Sequence, residues 1–142
     1  MKIFLATPMS GFSGTELLKY KEEAETLAKL LEEGGHIVHS VVSKISNEAD
    51  FDTPADSLKL DSTEIQKADV FILLYPKPMI TSVLIELGIA IALNKKIIVA
   101  APQRKVLPWC AQEIDRAFKN ASFIQAVNLN IECAKKILEI LR

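Results

Sequence analysis

Asp69-Val-Phe-Ile-Leu-Leu-Tyr75 opens a stretch that runs on through Pro76-Lys-Pro78, Met79-Ile-Thr-Ser-Val-Leu-Ile-Glu86-Leu-Gly-Ile-Ala-Ile-Ala-Leu93 and Asn94-Lys-Lys96-Ile-Ile-Val-Ala100. Its first and last pieces are short, β-rich apolar runs, the pattern of parallel strands covered on both faces. Between them the residues read as an apolar helix, and Glu86 is its only charged residue from Met79 to Leu93. Leu84, Ile85, Leu87, Ile89 and Ala90 surround that carboxylate, so it lies on no solvated stripe. Burying it alone would be costly. Glu86 is therefore expected either to have a hydrogen-bonded structural partner or to face a cavity where something binds; the cavity is the reading carried forward.

Working outward, the same alternation recurs along the chain. Lys2 to Ala6 is a buried-type strand and Thr7 to Gly14 a turn-rich loop. Thr15 to Glu33 is a helix with Leu17, Leu18, Ala24, Leu27, Ala28 and Leu31 at helical spacing, closed by Gly34-Gly35. His36 to Val42 is a second strand, and Ser43 to Thr53 a polar, acidic connection without periodicity, expected to be the most mobile segment. Thr53 as cap and Pro54 at the first helical position open a helix to about Lys67. Strands Asp69 to Tyr75 and Lys96 to Ala101 flank the Glu86 helix. Leu107 to Lys119 reads as helix, Ser122 to Val127 as a fifth strand, and Ile131 to Leu141 as a closing amphipathic helix.

Strict alternation implies right-handed crossovers and a doubly wound, flavodoxin-like or Rossmann-like α/β fold with a five-stranded parallel sheet. The expected strand order is 2-1-3-4-5, which places the topological switch between strands one and three. A ligand would then sit outside their carboxyl ends, between Thr7 to Gly11 and Tyr75 to Thr81.

The 142 residues, 49% hydrophobic and 25% charged with a formal net charge of −1, describe one ordinary globular domain, 1–142. No basic footprint for nucleic acid or a membrane surface stands out. Cys110 and Cys133 lack the spacing of a zinc site or a disulfide framework and fit a cytoplasmic protein. The first apolar run is too short for a signal peptide. No metal or cofactor is called for.

Five groups of residues are site candidates. The loop Thr7, Pro8, Met9, Ser10, Gly11 leads to a helix N-terminus that suits an anion, although Ser13 and Glu16 also form an ordinary capping box. Asp61 lies three residues after Leu58 and four before Ile65, so it shares their face and is expected to point inward. Tyr75, ending its strand, lines the crevice or packs at its rim. Thr81 and Ser82 precede the Glu86 helix. Pro108 and Trp109 are pocket-wall or interface residues. Asp69 reads as a turn or cap, and His36 and His39 as structural.

The loop after strand one, Asp61-Ser-Thr-Glu-Ile-Gln-Lys-Ala-Asp69, and Ile85-Glu86-Leu87-Gly88 with Ala90, Ala92 and Asn94-Lys95-Lys96 together resemble the nucleoside 2-deoxyribosyltransferase superfamily. The likeness covers most of the chain, and Pro102-Gln103 through Val106-Leu107 is similar to its deoxynucleoside 5′-monophosphate N-glycosidase branch. The resemblance implies that Glu86 is the nucleophile and that Asp61 holds a sugar hydroxyl or assists proton transfer. It also implies Thr7 to Gly11, Tyr75, Thr81 and Ser82 around the substrate, and a homodimer or larger homo-oligomer in which Pro108 and Trp109 reach the neighbour's site. The chain departs from the family pattern at Ile3-Phe4, where an aromatic hydroxyl is usual. It departs again at Ile80, where a Ser or Asp is usual, and at Met9, where the glycosidase branch tends to have Arg.

The expected function is cleavage or transfer at the N-glycosidic bond of a nucleoside or nucleoside 5′-monophosphate. Ile3 and Ile80 favour the alternative of a non-catalytic nucleotide-binding domain on the same fold. Ser13-Gly14-Thr15 leaves an FMN carrier as a third reading. A phospho-receiver is disfavoured, because strand three ends in Tyr75 rather than Asp.

Overall fold

The computed structural model describes residues 1–42 and 53–142; the connection expected over Ser43 to Thr53 falls, apart from Thr53, outside them. Its elements are β1 (Lys2–Ala6), α1 (Gly14–Glu33), β2 (Ile37–Ser40), α2 (Pro54–Lys67), β3 (Val70–Leu74), α3 (Val83–Ala92), β4 (Lys96–Ala101), α4 (Ile114–Ala117), β5 (Ala121–Gln125) and α5 (Ile131–Leu141). The five strands pair in parallel in the order β2-β1-β3-β4-β5. This is the doubly wound sheet that the alternating pattern implies.

Strand alternation divides the core. Ile3, Leu5, Ile72, Leu74 and Ile98 pack with Leu27 and Leu31 of α1 and Ile137 of α5. On the opposite face Phe4, Phe71, Leu73 and Val99 pack with Ile65 of α2 and Leu87 and Ala90 of α3. All five residues of β3 are buried, so it reads as unbroken Val-Phe-Ile-Leu-Leu. Burial of each large side chain contributes about 1.5–3 kcal/mol. Phe4 stacks on Phe71 with ring centroids 5.7 Å apart, which fixes the register of β1 on β3 beneath their carboxyl ends.

Helix ends follow local chemistry. Thr53 Oγ1 accepts from the Asp56 amide at 3.2 Å ahead of Pro54. Gly35, at φ +87, takes the left-handed conformation that lets the His36 amide reach back to the Leu31 carbonyl. The Asn130 side chain caps α5 by accepting from the Glu132 and Cys133 amides. Lys95, just past α3, donates to the carbonyls of Gln66 and Ala68 at 2.7 Å each, clamping the end of α2 to the end of α3.

The expected helix over Leu107 to Lys119 is not formed as such. Single 3-10 turns at Arg104–Val106 and Trp109–Ala111 precede α4, which spans only four residues. Side chains take over the carbonyls that a helix would use: Gln112 Nε2 donates to Leu107, and Arg104 donates to Gln112 while pairing with both Asp115 oxygens at 2.6 and 2.7 Å. The Arg104 guanidinium also lies over the Phe123 ring. β2 and β5 are each shorter at one or both ends than the apolar runs suggest.

Candidate active site

β1 and β3 are neighbours whose crossovers leave in opposite directions, so their carboxyl ends frame a crevice. A cavity of about 760 Å³ occupies it, a size suited to a nucleoside-sized ligand. Its walls come from the loop after β1, the first turns of α1, the middle of α2 and the start of α3. Thr7, Met9, Ser10 and Gly11 line it, as do Asp61, Thr81, Ser82 and Glu86. Thus the two carboxylates, 25 positions apart in the sequence, face one space.

Glu86 sits in the first turn of α3 and is 8% exposed. Among the described residues no donor is within hydrogen-bond reach of its carboxylate. The helix dipole favours a charge there by about 0.3–1 kcal/mol, but desolvation outweighs it. Burial first, and then the charge of Asp61, push the Glu86 pKa up from 4.5 to about 8. Among the described residues no hydrogen bond offsets that shift. At neutral pH Glu86 holds its proton most of the time.

Asp61 reaches the cavity from α2, one turn beyond Ser57, which also lines it. The inward stripe used to orient it is only partly real. Ile65 is fully buried, whereas Leu58 is about half exposed. Asp61 faces inward because its turn of α2 lies over the crevice rather than over the sheet.

The hydroxyl of Thr7 also belongs to the cavity wall. Thr7 is 6% exposed, and its Oγ1 is buried with no hydrogen-bond partner among the described residues. A buried unpaired hydroxyl costs about 1–3 kcal/mol, and this one lines the cavity. Thr7→Val is expected to leave stability unchanged or raise it by about 1 kcal/mol, while weakening substrate binding. Calorimetry and steady-state kinetics on the variant check this: a loss of stability with unaltered KM would mean that the hydroxyl serves the fold.

Other candidates sit differently. Gly11, at φ +85, turns the loop so that an added Cβ would lie 3.7 Å from that of Met79. Tyr75 is buried, and its hydroxyl donates to the Met79 carbonyl, bracing the loop before α3 rather than lining the cavity. Pro8 is buried and also off the cavity wall. Ile80 is 97% exposed, so the hydroxyls on that side are those of Thr81 and Ser82. Ile3 belongs to the core under α1. Pro108 and Trp109 do not line the cavity, and Trp109 is 89% exposed.

Sequence reasoning passed over Phe12, Lys21, Val41, Ser57 and Val83, all on the wall. Spacing could have found two of them: Ser57 precedes Asp61 by four residues and Lys21 follows Leu17 by four, each one helical turn.

Across the mouth, Lys77 lies 3.2 Å from Glu16 and 4.8 Å from the centroid of the Phe12 ring, which stacks on Tyr20. Glu16 also accepts from the Ser13 amide at 2.9 Å and its hydroxyl at 3.0 Å. These bonds, the Ser13 amide foremost, hold the Glu16 pKa down to about 2.

No protein-family model and no curated protein matches the chain. Among solved structures it is similar to the CMP N-glycosidase BcmB of Clostridium botulinum, with a TM-score of 0.71 and 26% identity over 99% of this chain and 97% of that one. It is also similar in fold to BlsM, with a TM-score of 0.72 and 22% identity over 97% and 86% of the two chains. A conserved protein from Enterococcus faecalis V583 matches at 0.60 and 16% identity over 97% and 94%. The resemblance read from the sequence, to the nucleoside 2-deoxyribosyltransferase superfamily and its nucleotide N-glycosidase branch, agrees with the first of these neighbours.

Proposed function

We propose that this protein breaks or transfers the N-glycosidic bond of a nucleoside or nucleoside 5′-monophosphate, with Glu86 as nucleophile and Asp61 as its acidic partner. The observation that carries the proposal is a buried carboxylate without a hydrogen-bonded partner among the described residues, lining the same cavity as a second carboxylate at the sheet's topological switch. The likeness to a CMP N-glycosidase supports the same chemistry.

Departure of a base from C1′ leaves an oxocarbenium-like sugar, which a carboxylate held against C1′ stabilises or traps as an ester. The electrons of the broken bond go to the base, which needs a proton. Asp61, whose charge raises the Glu86 pKa, either relays to the base the proton that Glu86 gives up or orients the sugar through a hydroxyl. Water then opens the ester in hydrolysis, or a second base does so in transfer. Glu86 attacks only when ionised, so its raised pKa makes the deprotonated fraction rate-limiting at neutral pH.

Incubation with a panel of nucleosides and 5′-monophosphates, followed by chromatography for free base, tests the reading. Release from at least one is expected. Binding without release from any would favour a non-catalytic nucleotide-binding domain.

The chain is further proposed to act as a homodimer or larger homo-oligomer. Trp109 and Ile80 are almost fully exposed, and Ile85 presents an apolar face of α3; aromatic and apolar anchors of this kind are favoured at interface centres. Trp109→Ala is expected to weaken self-association by at least about 2 kcal/mol, or roughly 30-fold in Kd. Sedimentation of wild type and variant over a concentration series checks this, and a wild type that is monomeric throughout would refute it.

A further inference from the structure

Thr81 and Ser82 stand in the cavity wall, yet α3 does not hold them there by a cap of its own. The side chains of Thr53 and Asn130 cap α2 and α5. Ser82 has helical backbone angles and makes no side-chain cap bond. The start of α3 is therefore fixed from elsewhere. We infer that Tyr75 is a positioning residue: through the Met79 carbonyl its hydroxyl sets where Thr81 and Ser82 stand, and so where a ligand lies against Glu86. For its chemistry the inference rests on the glycosidic reading of the site.

Tyr75 is anchored at both ends. Its amide donates to the Ala100 carbonyl at 2.9 Å, which extends the pairing of β3 with β4 by one residue. Its side chain, in a residue 1% exposed, belongs to the core that also holds Val83 and Leu87 of α3. A buried phenol needs a hydrogen-bond partner, and this one donates to the Met79 carbonyl, four residues on. Met79 packs against the same core. Pro76 and Pro78 each fix one backbone angle in between, so the short loop delivers the chain to the point that the phenol holds.

Met79 is also the seam between two walls. A Cβ added to Gly11 would lie 3.7 Å from the Cβ of Met79, so the loop after β1 and the loop before α3 meet there. Gly11 lines the cavity on one side of the seam, and Thr81 and Ser82 line it on the other. Neither Tyr75 nor Met79 lines it. The phenol thus acts on a ligand only through the wall that it supports. The reaction is sensitive to such support, because C1′ must meet the Glu86 carboxylate, and a misplacement of about 1 Å costs on the order of 10²-fold.

Tyr75→Phe keeps the ring and removes the bond. A panel of nucleosides and their 5′-monophosphates supplies kcat/KM for base release, and calorimetry in the Glu86→Gln background supplies Kd. Tyr75→Phe is expected to lower kcat/KM by about 10–10²-fold and to weaken binding several-fold. Amide exchange should quicken over 79–82 and stay as in wild type in β1 and α2. The decisive measurement is a double-mutant cycle against Thr81→Val and Ser82→Ala together. Once those hydroxyls are gone, Tyr75→Phe should cost less than about twofold more.

An equal cost in both backgrounds overturns the inference, because the phenol then acts elsewhere. A lower melting temperature with unaltered kcat/KM and Kd also overturns it and leaves the hydroxyl to the fold alone. If no base is released but the Kd cycle is non-additive, the glycosidic reading fails and the positioning stands. Base release with an additive cycle sinks the positioning and spares the glycosidic reading. A wild type that neither binds nor cleaves any member of the panel sinks both.

Discussion

Glu86→Gln is expected to abolish base release, lowering kcat by on the order of 10³ or more, because an amide cannot serve as the carboxylate nucleophile. Stability moves the other way. Burial raises the Glu86 pKa from 4.5 to about 8, so the folded chain holds this proton more tightly than the unfolded chain does. Below pH 4.5 both states are protonated and Glu86 carries no charge penalty. Between pH 4.5 and about 8 the unfolded chain gives up this proton while the folded chain keeps it, so stability falls across that window and levels off above it. The variant should therefore melt like wild type at pH 4.5 and above it at pH 8–9, by up to a few kcal/mol. A structural ion pair would give the opposite result, a loss of about 3–5 kcal/mol on neutralising one partner. Melting curves at the two pH values, read beside turnover, decide between them. Turnover surviving in the folded variant would reject the catalytic assignment.

The second large effect is expected at Asp61. Asp61→Asn removes the acidic partner and should lower kcat by about 10²–10⁴. Its pH profile carries more information than its size. Wild-type kcat/KM is expected to rise with pH and level off above about 8, as Glu86 loses its proton. Asp61 contributes to that raised value through its charge, so the ascending limb of Asp61→Asn should move to lower pH. It should remain above the ordinary Glu range, because burial, the larger cause, is untouched. A wild-type rate that falls through pH 8 would make Glu86 the proton donor instead. An unmoved limb in Asp61→Asn would mean that the two carboxyls do not interact.

Much of this arrangement could be read from the residues because the sheet is buried on both faces. An all-apolar β3, and a β4 that is apolar after Lys96, leave little choice of element, and the Pro-Lys-Pro break between β3 and α3 marks where the crevice opens. Glu86 was legible for the same reason: one carboxylate in an apolar helix has to be accounted for. The protonation of Glu86 was not legible. It depends on how deeply the fold buries the carboxyl and how near it brings Asp61, and spacing along the chain gives neither.

Tyr75 illustrates a subtler limit. Its position at the end of β3 is correct, but strand alternation and the turn after it send the hydroxyl to Met79 instead of into the crevice. The segment after β4 was misread because helical periodicity survives in its apolar residues. Gln112 then bonds the Leu107 carbonyl, Arg104, held by Asp115, bonds the Gln112 carbonyl, and the helix is broken into turns. That bonding is three-dimensional, and spacing carries no trace of it.

The Lys95 clamp has a consequence for how such a site can change over time. It joins α2 to α3 about one and a half turns below Asp61 and two and a half below Glu86, at the end of the helices away from the cavity. The separation of the two carboxyls is thus braced by a joint that lies off the cavity wall. Residues such as Met9, Phe12 and Ser57 can be exchanged, and with them the ligand that fits, without disturbing that separation. Selectivity and reactivity are carried by different parts of the frame, so descendants of this chain can acquire new substrates without first rebuilding the reaction.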